Sequence, residues 1–373
     1  MMRVTTSRRG FLGRSGLALG ALAWGRRPAW SASAPDVDAM MGRAVAFLKG
    51  RQDAKGGWST AREPGITALV VTALLRSKRV TPADPIVTRA LAYLEGFIGP
   101  KGGLSEAPHA NYTTSIALMA FNEANTRGRY DGVIKAGQDF LKAMQWDEGE
   151  GKTKDDAYYG GAGYGGKNSR PDLSNTAYFM EALRDTGLPP DDPNLQRALV
   201  FVSRCQNLKG EFNDQSWAGK VNDGGFIYTP ANGGTSLAGS EPDGGLRSYA
   251  SMTYAGIKSM IHAGLSSDDP RVKAAREYIA RHYTLDENPG LGQNGLYYYY
   301  HTFAKALAML GQPTLTDAHG RAHDWRADLT SALAKRQNRD GSWVNPADRF
   351  MEGDPNLVTA YALLALAFAR ASA

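Results

Sequence analysis

DPIVTRALAYLEGFI (84–98) followed by TTSIALMAFNEA (113–124) sets the architecture. In the first segment Ile86, Ala90, Leu91, Leu94 and Ile98 recur at helical spacing while Arg89 and Glu95 take the other side, so one stripe is buried. The second segment has no such polar side. A helix apolar around most of its circumference must be covered around most of it. The pairing recurs along the chain. One-faced segments fall at 38–52, 84–98, 131–145, 194–206, 269–283 and 325–337, and nearly wholly apolar partners at 66–75, 113–124, 174–183, 248–261, 298–310 and 356–369. Alternation of one-faced with many-faced helices is what concentric outer and inner rings produce. Six pairs predict an all-α fold, a single (α/α)6 barrel or toroid.

Turn chemistry supports that phase. Asp84-Pro85, Asp192-Pro193 and Asp269-Pro270 open three outer segments with an acidic cap and a residue whose missing N–H costs nothing at the first helical position. The outer segments close into QDAKGGW (52–58), QNLKGEF (206–212) and QNRDGSW (337–343), which share the spacing of Gln, three residues, Gly, one residue and an aromatic. Glycine takes the left-handed position, the Gln amide satisfies stranded carbonyls and the aromatic covers the turn. This pattern resembles the QW repeat of squalene-hopene and oxidosqualene cyclases and, in looser form, of protein prenyltransferase β-subunits. The resemblance spans Asp38 to Ala369 and implies an α-α toroid with an apolar central cavity suited to isoprenoid chains.

Residues 1–34 read differently. SRRGFLGRSG (7–16) before the short apolar run LALGALAW (17–24) resembles a twin-arginine export signal, with Arg8 and Arg9 paired and a run too short to span a bilayer. The expectation is a signal over 1–34, a toroid domain over 35–373, and a periplasmic or cell-envelope location; Arg26 and Arg27 leave a retained membrane anchor open. The formal charge of +6 resides in this segment, which holds six Arg and no acid and leaves 37 basic against 37 acidic residues in the remainder. A neutral domain has no electrostatic footprint for nucleic acid. Cys205, the single cysteine, excludes an intramolecular disulfide framework.

The loops running from outer to inner segments open at one rim, and 146–172 and 208–247 are far longer than a turn requires. Their aromatics, Tyr164 among them, are expected at the cavity mouth. At DLSNTA (172–177) the squalene-hopene cyclase pattern reads Asp-x-Asp-Asp-Thr-Ala, whose central Asp protonates the substrate. This chain keeps Asp172, Thr176 and Ala177 but places Ser174 and Asn175 where the other acids stand. A hydroxyl is too weak an acid to replace them, so the proton-donor motif is not intact. Asp172 remains the candidate acid beside its ordinary role as an N-terminal cap, and Asn175 a candidate ligand contact. In YYYYHTFAKAL (297–307), His301 with Thr302 resembles the Tyr-His-Thr of prenyltransferase β-subunits, where the His binds zinc with an Asp and a Cys. Asp223 in NDGG (222–225) matches the Asp, but no Cys follows it, so neither a metal nor another cofactor is expected. His301 is carried as a catalytic candidate, and Tyr299, Tyr300, Asp223 and Asp243 as ligand contacts.

Three functions fit these residues. The first is an exported terpene cyclase or prenyltransferase-like protein that holds, and when active transforms, an isoprenoid or other apolar ligand, with contact to a membrane surface. The second is a non-catalytic binding or interaction toroid. The third is a glycan-active (α/α)6 barrel, which requires two inward carboxyls across a groove.

Overall fold

The computed structural model describes residues 35–59, 64–104, 109–165 and 169–370; the export signal expected over 1–34 lies outside them. Twelve main helices alternate between two rings. The outer ring holds α1 (Val37–Arg51), α3 (Pro85–Glu95), α5 (Asp131–Lys142), α7 (Pro193–Arg204), α9 (Pro270–Arg281) and α11 (Trp325–Arg336). The inner ring holds α2 (Pro64–Arg76), α4 (Ala110–Glu123), α6 (Leu173–Asp185), α8 (Ala250–His262), α10 (Leu296–Met309) and α12 (Pro355–Arg370). Each inner helix packs on the next, and α12 returns to α2, so the ring is closed. Among the described residues the only paired strands are Leu315–Thr316 and Ala322–His323.

Hydrophobic pattern explains which ring each helix joins. In α5 the buried face is Ile134, Gly137, Gln138 and Leu141, with Lys135 and Asp139 turned to solvent. In α2 every residue from Pro64 to Leu75 is buried. The Asp-Pro starts act as caps at α7 and α9, where Asp192 and Asp269 accept the N–H of Asn194 and Arg271 at 2.8 and 2.9 Å. Asp84 differs: its carboxylate accepts instead from Thr81 N and Oγ1 at 2.7 and 2.8 Å, bracing the preceding turn.

The spacing of Gln and Gly shared by the first and last outer segments is a staple between repeats. Gln52 Nε2 donates to Gly56 O (3.0 Å) in its own turn and to Ile86 O (2.8 Å) in the next outer helix. Gln337 donates to Gly341 O and Met40 O, both at 3.0 Å, which joins the last repeat to the first. Gly341 has φ +93°, and a Cβ there would stand 2.4 Å from Arg43 O, so no other residue lets the turn approach α1 so closely. The aromatic that follows is tied to the inner helix: Trp58 N and Trp343 N donate to Thr67 and Thr359 Oγ1 at 3.0 and 3.1 Å.

The middle match is placed differently from the sequence expectation. Gln206 Nε2 donates to Gly224 O and Arg271 O at 2.9 and 2.8 Å, not to Gly210. Phe226 then donates its N–H to Thr253 Oγ1 at 3.1 Å and is fully buried, while Phe212 is 39 % exposed under the Arg271 guanidinium. An insertion separates Gln206 from its true turn at 222–226, and QNLKGEF reproduces the spacing without the geometry.

At the end of the ring formed by the C-termini of the inner helices, the interior is filled by charge. Arg76 meets Glu123 at 2.7 Å and Asp185 at 2.6 Å; Lys258 and Lys305 both bind the buried Glu181. Burial would raise Glu181, but Lys258 and Lys305 beside it hold it well below the usual carboxylate range. This plug draws on α2, α4, α6, α8 and α10 and closes that end of the barrel.

Candidate functional site

The opposite end is open. The N-terminal halves of the inner helices surround a cavity of about 330 Å³, near the lower limit of pockets that enclose a drug-sized ligand. Every inner helix contributes: Ile66 and Leu69, Tyr112 and Ile116, Ser174, Met252, Tyr298, and Leu357 with Tyr361. Only the first turns reach it, because the second half of each helix is committed to aromatic packing and the charged plug.

Tyrosines form the floor. Tyr112 and Tyr361 share a hydroxyl hydrogen bond of 3.1 Å, Tyr178 meets Tyr112 edge-on at 4.7 Å, and Tyr298 shares a 3.1 Å hydrogen bond with Ser174 Oγ. Below them His301 stacks on Tyr361 at 5.7 Å. Burial pushes the imidazole down to about 3, so it is neutral at ordinary pH. At the mouth stand Tyr164, which is 41 % exposed, and Phe350 and Met351 of the last loop.

Asp172 caps α6, accepting Asn175 N and Nδ2, both at 2.9 Å. It is buried, and burial pushes its carboxyl up to about 6 against the hydrogen bonds from Asn175. It sits behind the cavity wall. Tyr228 and Tyr164, which do line the cavity, stand beside it: burial and then the Asp172 charge push both phenols above the ordinary value. The position of the central acid in the cyclase pattern is Ser174, which reaches the cavity directly.

Several expected contacts are corrected. Tyr299 and Tyr300 do not line the cavity; their hydroxyls donate to Thr284 O (2.7 Å) and Leu285 O, toward the outer wall, because only Tyr298 of the run points inward. Asp223 holds its own turn, accepting Gly225 N at 2.9 Å and Ser248 Oγ at 2.7 Å. Asp243 accepts Gly245 N at 2.9 Å in an exposed turn. Asn175 supports Asp172 and His301 lies beneath the floor, so neither is a wall residue. Among the described residues no group of three His, Cys, Asp or Glu converges as a metal site. The residue that sequence reading missed is Glu352, a buried carboxylate on the wall. Its only signal was an acid beside Phe350 and Met351 in a loop where Asp354 already supplied the cap of α12.

No protein-family model matches the chain, and no curated protein matches it. Solved structures do. The type II terpene cyclase MstE from Scytonema, without ligand, superposes with a TM-score of 0.54 at 13% identity over 90% of this chain and 98% of that one. The fold is shared with type II terpene cyclases. A variant of MstE in complex with its substrate, geranylgeranyl dihydroxybenzoate, gives a TM-score of 0.55 at 14% identity over 89% of this chain and 97% of that one. A protein from Actinoplanes gives 0.54 at 17% identity over 90% and 99%. About nine-tenths of this chain is thus matched by each of these structures, and nearly the whole of each of them by this chain.

Proposed function

We propose that this protein binds an isoprenoid chain in the rim cavity. The observation that carries the proposal is the wall itself: aliphatic side chains from α2, α4, α8 and α12 above a tyrosine floor, inside a ring plugged at its far end. Such a cavity removes a flexible apolar chain from water at roughly 25 cal/mol per Å² of buried surface. It offers aromatic faces rather than hydrogen-bond ladders, which favours a lipid over a glycan. Farnesol and geranylgeraniol are the probes, titrated against the purified protein by calorimetry beside a maltooligosaccharide. Saturable binding of an isoprenoid with no response to the sugar is expected; the reverse selectivity would overturn the reading.

A second reading, turnover, is favoured by Asp172. A carboxyl half-protonated near pH 6 and electrostatically coupled to a wall tyrosine, Tyr228, supports proton transfer at the rim. Protonation of an alkene and loss of a proton from the neighbouring carbon would isomerise the ligand without any other reactant. The twin-arginine segment supports export of the domain; a reporter fused to residues 1–34 reaching the periplasm checks this, and retention in the cytoplasm sinks it.

A further inference from the structure

The passage from α10 to α11 is longer than a ring of helices needs. The inner-to-outer passages at 77–84, 124–130, 186–192 and 263–269 take seven or eight residues, while 310–324 takes fifteen. The extra length folds into the hairpin of Leu315–Thr316 with Ala322–His323 and lies as a strap on the outer wall. Ala318 N donates to Ala280 O of α9 at 3.1 Å, Arg276 Nη2 of α9 to Gln312 Oε1 at 3.0 Å, and Trp325 Nε1 of α11 to Gln312 O at 2.9 Å. Leu315 of the strap is buried. Tyr283, whose ring lies 4.1 Å from that of His323, packs in turn on Phe303 of α10 at 5.9 Å.

His323 ties the turn of the strap to the helix that follows. Its Nε2 stands 3.0 Å from Asp317 Oδ2 in the strap, and its Nδ1 3.1 Å from Asp328 Oδ2 in α11. A neutral imidazole has one N–H and one lone pair, so both bonds hold together only while the ring carries two protons. Each is then a charge-assisted bond; with one proton gone, a lone pair faces a carboxylate. Tyr283 donates its O–H to the same Asp328 Oδ2 at 2.8 Å, and burial together with that bond pushes its phenol up, so it keeps its proton. Asp324 caps α11, accepting Arg326 N and Ala327 N, both at 3.1 Å. Arg321 Nε brings a second cation to 3.5 Å from Asp317 Oδ2, on a mostly exposed side chain, and His319 N donates to Asp317 Oδ1 at 2.9 Å. At the end of α9, His282 lies against Tyr278 at 4.4 Å.

The geometry points to His323 as a proton-operated clasp, which fastens the 310–324 strap to α11 while both ring nitrogens carry protons and frees it when one is lost. Release uncovers the seam at Leu315 and Tyr283 and leaves the inner ring closed, whatever the cavity holds. The two directions of pH act on different partners. The His323 bond, first among its causes, pushes the Asp317 carboxyl down to about 2. An unfolded Asp titrates near 4, so that contribution is complete above this value and is lost as pH falls to about 2. On the other side the native contacts hold the two-proton ring and the unfolded chain does not, so the contribution of His323 is lost as pH rises.

Histidine ordinarily changes charge between about pH 5 and 8, so peptide-resolved hydrogen exchange is measured at about pH 5.5 and about pH 9 and corrected for the intrinsic effect of pH on exchange. In the wild-type protein the 310–324 amides are expected to lose about tenfold in protection at the higher pH, the equivalent of one hydrogen bond to a charged group, while those of α10 stay unchanged. In His323→Gln, whose amide donates from one end only, the strap should be weakly protected at both pH values. Asp328→Asn removes one charged acceptor and keeps an oxygen for Tyr283; it should flatten the pH response as well, and it decides the matter where His323→Gln does not fold. Equal protection of the wild-type strap at the two pH values overturns the clasp. So does a loss shared equally by α10, or a pH response that survives in His323→Gln.

Discussion

Asp172 is pushed up to about 6 by burial, so in the folded protein it holds its proton where an unfolded chain has released it. Between the unfolded value near 4 and the folded value, the native state binds more protons, and stability falls as pH rises. The size of this contribution is about 3 kcal/mol. Asp172→Asn removes the slope while its side-chain oxygen still accepts Asn175 N. The variant should match the wild type at pH 4 and exceed it by up to about 3 kcal/mol at pH 7.5, as read by urea denaturation at both pH values. An unchanged difference across that range contradicts the assignment. Any isomerisation catalysed by the wild type should be lost. Asp172 was legible because it begins the helix that the cyclase pattern marks. Glu352 was not, since nothing in RFMEGDPN distinguishes an acid that folds inward from one in solvent.

Between elements, the Gln staples carry the repeat. Replacing Gln337 with Ala strands the Met40 and Gly341 carbonyls at the seam between first and last repeats. The expected loss is about 2 kcal/mol in urea denaturation. Gln206→Ala, whose two acceptors are more deeply buried, should lose more. Equal stability of Gln337→Ala and wild type would show that the seam is held by helix packing alone. The alternation of one-faced and many-faced helices could be read from sequence because burial follows apolar periodicity directly. The turn at 222–226 could not, because the insertion after Gln206 carries a second glycine and aromatic at the expected spacing. Tyr299 and Tyr300 escaped for a related reason: periodicity says that four consecutive tyrosines cannot all face inward, with one or two lining the cavity, but not which.

Across the whole molecule, the closed ring has two unlike ends. One is sealed by Arg76, Glu181, Asp185, Lys258 and Lys305, and the other opens into the cavity. Removing one partner from a buried ionic cluster leaves charge uncompensated, which costs far more than the pair contributes. Glu181→Gln should therefore destabilise by roughly 3–5 kcal/mol, and adding Lys258→Met should restore part of the loss in thermal melts. Additive losses would contradict the network. With that end shut, a ligand has one way in and a tyrosine floor at which to stop. The most direct measurement is a crystal structure of the protein grown with geranylgeraniol. The account predicts the chain between Ile66, Ile116 and Leu357, ending on Tyr112 and Tyr361; an empty cavity, with the lipid bound elsewhere on the surface, would contradict it.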